Sequence, residues 1–474
     1  NDVKHSTKRP LNGEKKIEIS QRLAAGTLSA TTWRRQEVTK VMNLYDSEPP
    51  HLYKASTLRK AKQERQDINL QIKGSCVFSN LQTMKYSNHA GSIHGIGYDP
   101  FFIHYWSAEQ IAVYLEHHDI IYVDATGSLV KKLKLPNGEQ SSHIYPYQAV
   151  TNTTTYKMPI FQMLSTVQHV NAIKYWLNEF LRIGSIKKAG FPIPRSVVCD
   201  FDMALLNALA KAFGQCYNLK HYLTTCFTLI LNENTIEKSK CFIRLDICHY
   251  MHSVSRWKCL SEINPKVKKF YMRAMALLTK QVDFSRFVEL AKCIIILSLN
   301  EEIGSNIEEN NSAAESARKL ITDYIKGVEY VASNDNDDKR IQNEEIDIEI
   351  KNCNISLWSY NLFQECQKTV TESTAECDIA NPYYAPYLGK RLKTFFSYFP
   401  LYTSVMIPIF GYGQINESSS AVESEMNDIK HVLLKNISRP MRADKFVTTH
   451  LKSFTGRSLL AMASRESSQS AEKN

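Results

Sequence analysis

Two apolar runs in this chain end in a carboxylate. The first is Ile120-Ile121-Tyr122-Val123-Asp124, and the second is Val197-Val198-Cys199-Asp200. A strand that ends in Asp presents a short, rigid carboxylate at the edge of a sheet. Two of them on neighbouring strands, joined by a Glu from elsewhere, make an oxygen-rich site suited to Mg²⁺. In two-metal phosphoryl transfer such carboxylates hold the ions about 3.5–4 Å apart. One ion activates water or a 3′-hydroxyl and the other stabilises the leaving oxygen. The third carboxylate falls in the run Asn416 to Lys430, where Ser418–Ser420 offer helix caps and Glu423 shares a helical face with Asn427 and Lys430. On spacing alone, Glu423, Glu425 and Asp428 read equally as surface charges of an amphipathic helix.

The elements that must position these groups follow a regular order. Ile120–Thr126, Ser142–Thr151 and Tyr156–Val167 read as three strands in succession, with Asn137-Gly138 as a turn between the first two. An amphipathic helix, Val170 to Arg182, follows and is expected to end at Gly184 and at Gly190-Phe191-Pro192. Ser196–Asp200 is the fourth strand and Met203–Phe213 its helix. Cys241–Leu245 is the fifth, feeding a helix from Asp246 to about Leu260. The order β-β-β-α-β-α-β-α is that of an RNase H-like mixed sheet. It brings the first and fourth strands together and makes Asp124 and Asp200 neighbours. Asp202 is a second candidate beside Asp200, but it should start the helix and face away.

Around this α/β core the pattern changes. Residues 1–72 read as a helical, basic unit with 14 Lys and Arg against 8 Asp and Glu. Ser29 or Thr31 could cap a helix carrying Arg34 and Arg35, as the second helix of a helix-turn-helix or as one arm of a plain helical hairpin. Residues 73–260 hold the first part of the core. Residues 261–410 form an all-helical insertion with long helices at Val267–Thr279 and Phe284–Leu297 and an acidic run, 335–349, expected as a solvated loop. Residues 411–460 return to the core for its last helix, and 461–474 read as a disordered tail.

The net charge of +10 and pI near 8.9 suit a polyanionic partner. Eleven scattered Cys without a CxxC pair exclude a disulfide framework and a ribbon- or finger-type zinc site in this stretch. No apolar run approaches 18 residues, so no membrane span is expected. The chain begins at Asn1, without an initiator Met or an apolar leader, and is read as trimmed.

With Asp124 in place, the ordered set Val198-Cys199-Asp200-Phe201-Asp202, Asp246-Ile247-Cys248-His249 and Ser419-Ser420-Ala421-Val422-Glu423-Ser424-Glu425-Met426-Asn427 resembles a known family. The chain looks like the cut-and-paste DDE transposases of the Mutator-like and hAT-like type. Those have an RNase H-like core, a helical insertion before the catalytic Glu, and a C/D-x-x-H motif after the second Asp. The resemblance covers about 120–260 and 415–455. It implies a DNA transposase that cuts at transposon ends and joins 3′-hydroxyls to target DNA. Asp124, Asp200 and Glu423 would then hold two Mg²⁺ or Mn²⁺ ions. His249, with Asp246, would lie near the active centre and contact DNA. Trp257 and Trp358 become candidates to stack on a flipped base, and Lys430, Lys435, Arg439 and Arg442 could line the DNA path. The partners implied are double-stranded DNA, as terminal repeats and target, and a second copy of the chain in a homodimer or higher oligomer, in the nucleus. The zinc-binding finger common at the N-terminus of such enzymes is not visible here. Two other readings stay open: a domesticated nuclear DNA-binding protein that no longer cuts, and a structure-selective nuclease with the same metals but no joining step.

Overall fold

A computed structural model of the chain describes residues 9–25, 28–135, 138–153, 157–231, 237–304, 312–327, 353–373, 379–415, 417–435, 437 and 439–471, the stretch 461–471 as backbone only. The acidic run 335–349 and Asn137 of the expected turn lie outside the described residues.

The centre is a seven-stranded mixed sheet in the order β1-β2-β5-β4-β3-β6-β7. Its strands are β1 (Ile93–Tyr98), β2 (Phe101–Tyr105), β3 (Ile120–Ala125), β4 (Tyr145–Asn152), β5 (Lys157–Ser165), β6 (Ser196–Cys199) and β7 (Phe242–Leu245). β3, β4 and β5 form an antiparallel meander, and β6 and β7 join β3 in parallel. This is the RNase H-like order expected from the sequence. Val123 pairs with Cys199, so Asp124 and Asp200 follow at the same level of two adjacent parallel strands. The β1–β2 hairpin extends the sheet beyond β5. The sequence of residues 75–116 reads as short β-like runs, with an aromatic-rich stretch over 98–106.

Side chains alternate across a strand, and here the two faces bury different cores. Ile121, Val123, Val197 and Cys199 enter one cluster and Tyr122 and Val198 the other. The helices of the core are α1 (Gly13–Ala25), α2 (Ala30–Val41), α3 (Ala55–Asn69), α4 (Val77–Tyr86), α5 (Ala108–Glu116), α6 (Val170–Lys187), α7 (Met203–Ala212), α8 (Leu219–Ile230) and α9 (Ile247–Ser255). The insertion supplies α10 (Lys258–Ser261), α11 (Pro265–Lys280), α12 (Phe284–Leu299), α13 (Ala313–Lys326), α14 (Asn354–Ser373), α15 (Pro386–Phe395), α16 (Phe399–Tyr402) and α17 (Ile407–Phe410). The chain closes with α18 (Ser420–Asp428) and α19 (Ala443–Ala471). Helices α5 to α9 and the insertion share the first cluster, whereas α4, α18 and α19 cover the other face. Helices α1, α2 and α3 close on a small core of their own, built on Leu23, Trp33 and Leu58.

Several boundaries differ from the sequence reading, each for a local reason. Gly184 does not end α6. It lies inside the helix because the Phe191 ring packs so close that a Cβ there would meet it at 2.4 Å. The helix expected from Asp246 to Leu260 breaks after Ser255, where Trp257 turns inward against Phe395. The segment from 461 is not a disordered tail as far as Ala471: α19 runs through it. Residues 459–466 are Leu, Leu, Ala, Met, Ala, Ser, Arg and Glu, mostly good helix formers with neither Gly nor Pro. No described helix is long and apolar enough to cross a membrane.

Candidate active site

Asp124 is the fifth residue of β3 and has the parity of Tyr122, so it belongs to the sheet face that α18 covers. Its Oδ1 accepts the Ala125 N–H at 2.6 Å. Asp200 follows β6 directly, and among the described residues no backbone N–H donates to its carboxylate. The alternative, Asp202, is spent locally: its Oδ1 caps α7 by accepting the Leu205 N–H at 2.7 Å. Glu423 lies in the first turn of α18, half-buried, between Val422 and Glu425, which turn inward.

His249 joins Asp200 to Glu423. It sits in the first turn of α9, with Nδ1 against Asp200 Oδ1 and Nε2 2.8 Å from Glu423 Oε1. Burial works against its charge, but Asp200, Asp246 and Glu423 outweigh that effect and raise its pKa to about 9. Asp124 responds in the opposite sense. Burial first, then the neighbouring Asp200 carboxylate, pushes its pKa up to about 7. The site thus carries crowded negative charge, partly balanced by one imidazolium.

Asp246 has a different job. It is only 1% exposed, and both carboxylate oxygens are taken by backbone N–H groups. Oδ1 accepts from Cys248 at 2.5 Å and from His249 at 3.0 Å, capping α9. Oδ2 accepts from Ser419 at 2.5 Å, at the start of α18. The Ile247 N–H also donates to the Glu417 carbonyl at 3.0 Å. One buried carboxylate therefore fixes the helix bearing His249 against the helix bearing Glu423. The expected DNA contact by Asp246 is corrected: the group is buried, and its oxygens bind backbone. The Ser419 hydroxyl makes no cap bond; the Ser418 hydroxyl accepts the Ser420 N–H at 3.2 Å, and Asp246 binds the Ser419 N–H from another element.

The other acidic residues near Glu423 are committed elsewhere. Glu417 is buried beside Arg244 at 3.5 Å, and Glu425 is buried against Arg457 at 2.5 Å. Asp200 and Glu423 both meet His249, and their charges act on Asp124, so the three carboxylates are near neighbours. Among the described residues, Asp200, Asp246 and His249 are the one such group with ligand atoms within 4.8 Å of one another, and Asp246 is already engaged by three backbone N–H groups. Hard oxygen donors, half-open to solvent and mutually repelling, fit a divalent cation such as Mg²⁺ or Mn²⁺.

No family model matches the chain. A 120.7 kDa protein in the NOF-FB transposable element of Drosophila melanogaster is 32% identical over 468 residues. The match takes in 95% of this chain and 42% of that protein, so the chain spans about two fifths of the relative's length. Among solved structures, the Drosophila P element transposase strand transfer complex aligns over 95% of this chain and 93% of that chain, at 10% identity and a TM-score of 0.26. That likeness is too loose to add to what the strand order already says.

The basic residues expected on a DNA path divide. Arg35, Lys435 and Arg439 are exposed. Arg34 is not free for DNA: its Nε donates to the Tyr53 carbonyl at 3.0 Å and its guanidinium pairs with Glu48. Arg442 is likewise tied to Asp444, at 3.1 Å through Nε, and to the Gly74 carbonyl. Lys430 is half-buried, and the helix changes to a π-turn over Ile429–Leu433, which breaks the simple face it was expected to share with Glu423 and Asn427. Trp257 and Trp358 are not available to stack on a base. Trp257 packs on Phe395, and Trp358 packs among Phe227, Phe284 and Phe399. Sequence reasoning missed Ser419, Arg244 and Arg457 as partners. Nothing local marks them, since their contacts lie 173, 173 and 32 residues away.

Proposed function

We propose that this chain is the catalytic segment of a DNA transposase that cuts and joins DNA strands by metal-dependent phosphoryl transfer. The observation that carries the reading is that Asp200 and Glu423, from separate parts of the chain, both meet His249, with Asp124 at the end of the strand beside Asp200. The transposable-element protein it resembles points the same way. Asp124, Asp200 and Glu423 would hold two Mg²⁺ or Mn²⁺ ions, which supply Lewis acidity and an activated oxygen nucleophile. His249 aligns Asp200 and Glu423 and neutralises them while DNA approaches. Asp246 keeps both helices in register. Exposed Arg35, Lys435 and Arg439 would meet the phosphate backbone of transposon ends and target DNA. In this reading residues 73–260 and 411–460 are the core, 261–410 the insertion, and 1–72 an accessory unit for DNA binding or dimerisation. A nuclear dimer of the DDE type close to Mutator-like and hAT-like enzymes is the finer form of the same proposal.

Mn²⁺ titration by calorimetry tests it, followed by cleavage and joining of end-containing duplexes. Wild type binds metal, and Asp124→Ala, Asp200→Ala and Glu423→Ala each weaken binding and abolish cutting. Equal binding by Glu423→Ala would remove the third ligand. One observation favours a second reading, a DNA-binding protein that no longer cuts. His249 already balances the carboxylates, so the cluster can persist without a metal. Absence of metal binding by wild type, with DNA present, would decide for it.

A further inference from the structure

The outer face of α15 carries Tyr387, Lys390, Arg391 and Thr394, spaced i, i+3, i+4 and i+7, which places them on one side of the helix. The helix has three cations and no carboxylate. Among the described residues no acid pairs with Lys390 or Arg391. Instead Lys390 Nζ lies 5.6 Å from the Tyr387 ring centroid and the Arg391 guanidinium 5.3 Å from that of Trp257. The Arg391 Nε is buried and has no hydrogen-bond partner. These four side chains and Phe395 line a half-open hollow of about 310 Å³. Lys393, by contrast, turns to Tyr360 and Phe363 on α14.

The place of this cavity matters as much as its charge. Phe395 packs against Phe201, the residue after Asp200, at 5.9 Å between centroids, and against Tyr250, the residue after His249, at 5.6 Å. The helix that carries the basic stripe therefore ends on side chains next in sequence to two members of the candidate active site. From Tyr387 to Thr394 it runs roughly 10 Å along the helix, about three phosphate steps of one duplex strand.

We propose that the α15 face is a cradle for DNA backbone phosphates, with Lys390 and Arg391 as the cationic contacts and the Thr394 hydroxyl as a further donor. It holds the strand next to the phosphate that reacts. The inference rests on the proposed function, and it adds an insertion-borne contact to a site otherwise built by the core.

Binding of a fluorescent 30-base-pair duplex, read by anisotropy in EDTA, tests the cradle apart from any cutting. Lys390→Glu and Arg391→Gln are each expected to weaken binding roughly tenfold and to lower the salt dependence by about one released counterion. Lys188→Glu, an exposed cation at the end of α6, should change neither. Millimolar inorganic phosphate should not displace the duplex, since a free-phosphate site would be blocked by it. Lys390 is exposed, so its variant is expected to melt like wild type. Binding within twofold of wild type by a Lys390→Glu protein of unchanged melting temperature overturns the cradle. So does displacement by inorganic phosphate. A wild type that binds DNA through this face yet fails to cut in Mg²⁺ overturns only the catalytic reading.

Discussion

Asp124 is held where its ionised form is unwelcome, and that has a measurable sign. Its folded pKa, near 7, lies above the ordinary carboxylate value because of burial and the Asp200 charge. Between the two values the folded state binds the extra proton, so this group costs stability as pH rises through that range. Asp124→Asn should therefore raise the melting temperature at pH 8 in EDTA, with the gain fading as pH falls towards 4. The same variant should lose Mn²⁺ binding. A variant less stable than wild type at pH 8 would contradict the crowding described. Wild type should also release protons on binding Mn²⁺ at pH 6.5, seen as a buffer-dependent heat, because the ligand must ionise.

At the scale of elements, acidic residues of similar sequence appearance separate into two kinds. Glu423→Ala removes a half-exposed group and should shift stability by no more than about 1 kcal/mol. Glu417→Ala strands Arg244 in the interior and should cost about 3–5 kcal/mol. Denaturant melts of the two variants distinguish them. Asp246→Asn should do both kinds of damage. Its amide cannot accept from Cys248, His249 and Ser419 together, so the protein should lose about 1–3 kcal/mol and bind metal more weakly. The strand order was legible because each strand is a short apolar run with turn signals, and both Asp residues stand at strand ends. Glu423 was legible only through the resemblance, since helical spacing alone does not separate it from Glu425. The β1–β2 hairpin was legible only as short β-like runs and α8 was not assigned, because aromatic or apolar runs of that length suit several elements. Pairings such as Asp246 with Ser419 were invisible, because a hydrogen bond across the fold leaves no local pattern.

Over the whole molecule, both sheet faces are covered, and the helical insertion is continuous with the core on one of them. The other face closes with α19, whose His450 hydrogen-bonds the Tyr105 hydroxyl of β2 at 2.9 Å. Burial pushes the His450 pKa down to about 3, and those of His104 and His94 to about 3 and about 4. In the unfolded chain each would titrate near 6.5. The unfolded state then binds more protons between those values, so stability is full above pH 6.5 and falls as pH drops towards 3. His450→Gln, which keeps an acceptor for Tyr105, should make the acid limb shallower by about 1.4 kcal/mol per pH unit. An unchanged limb would place the His450 ring in contact with water.

The Asp246–Ser419 bond joins positions 173 residues apart. During synthesis the strands bearing Asp124 and Asp200 leave the ribosome long before Glu423 does, and the insertion must emerge in between. At roughly 5–20 residues per second, that interval lasts about 10–45 seconds. Throughout it the nascent chain has two carboxylates, no third, and nothing to register α18. In the proposed reading, a chain that stops within the insertion would lack the third carboxylate and the Asp246–Ser419 bond.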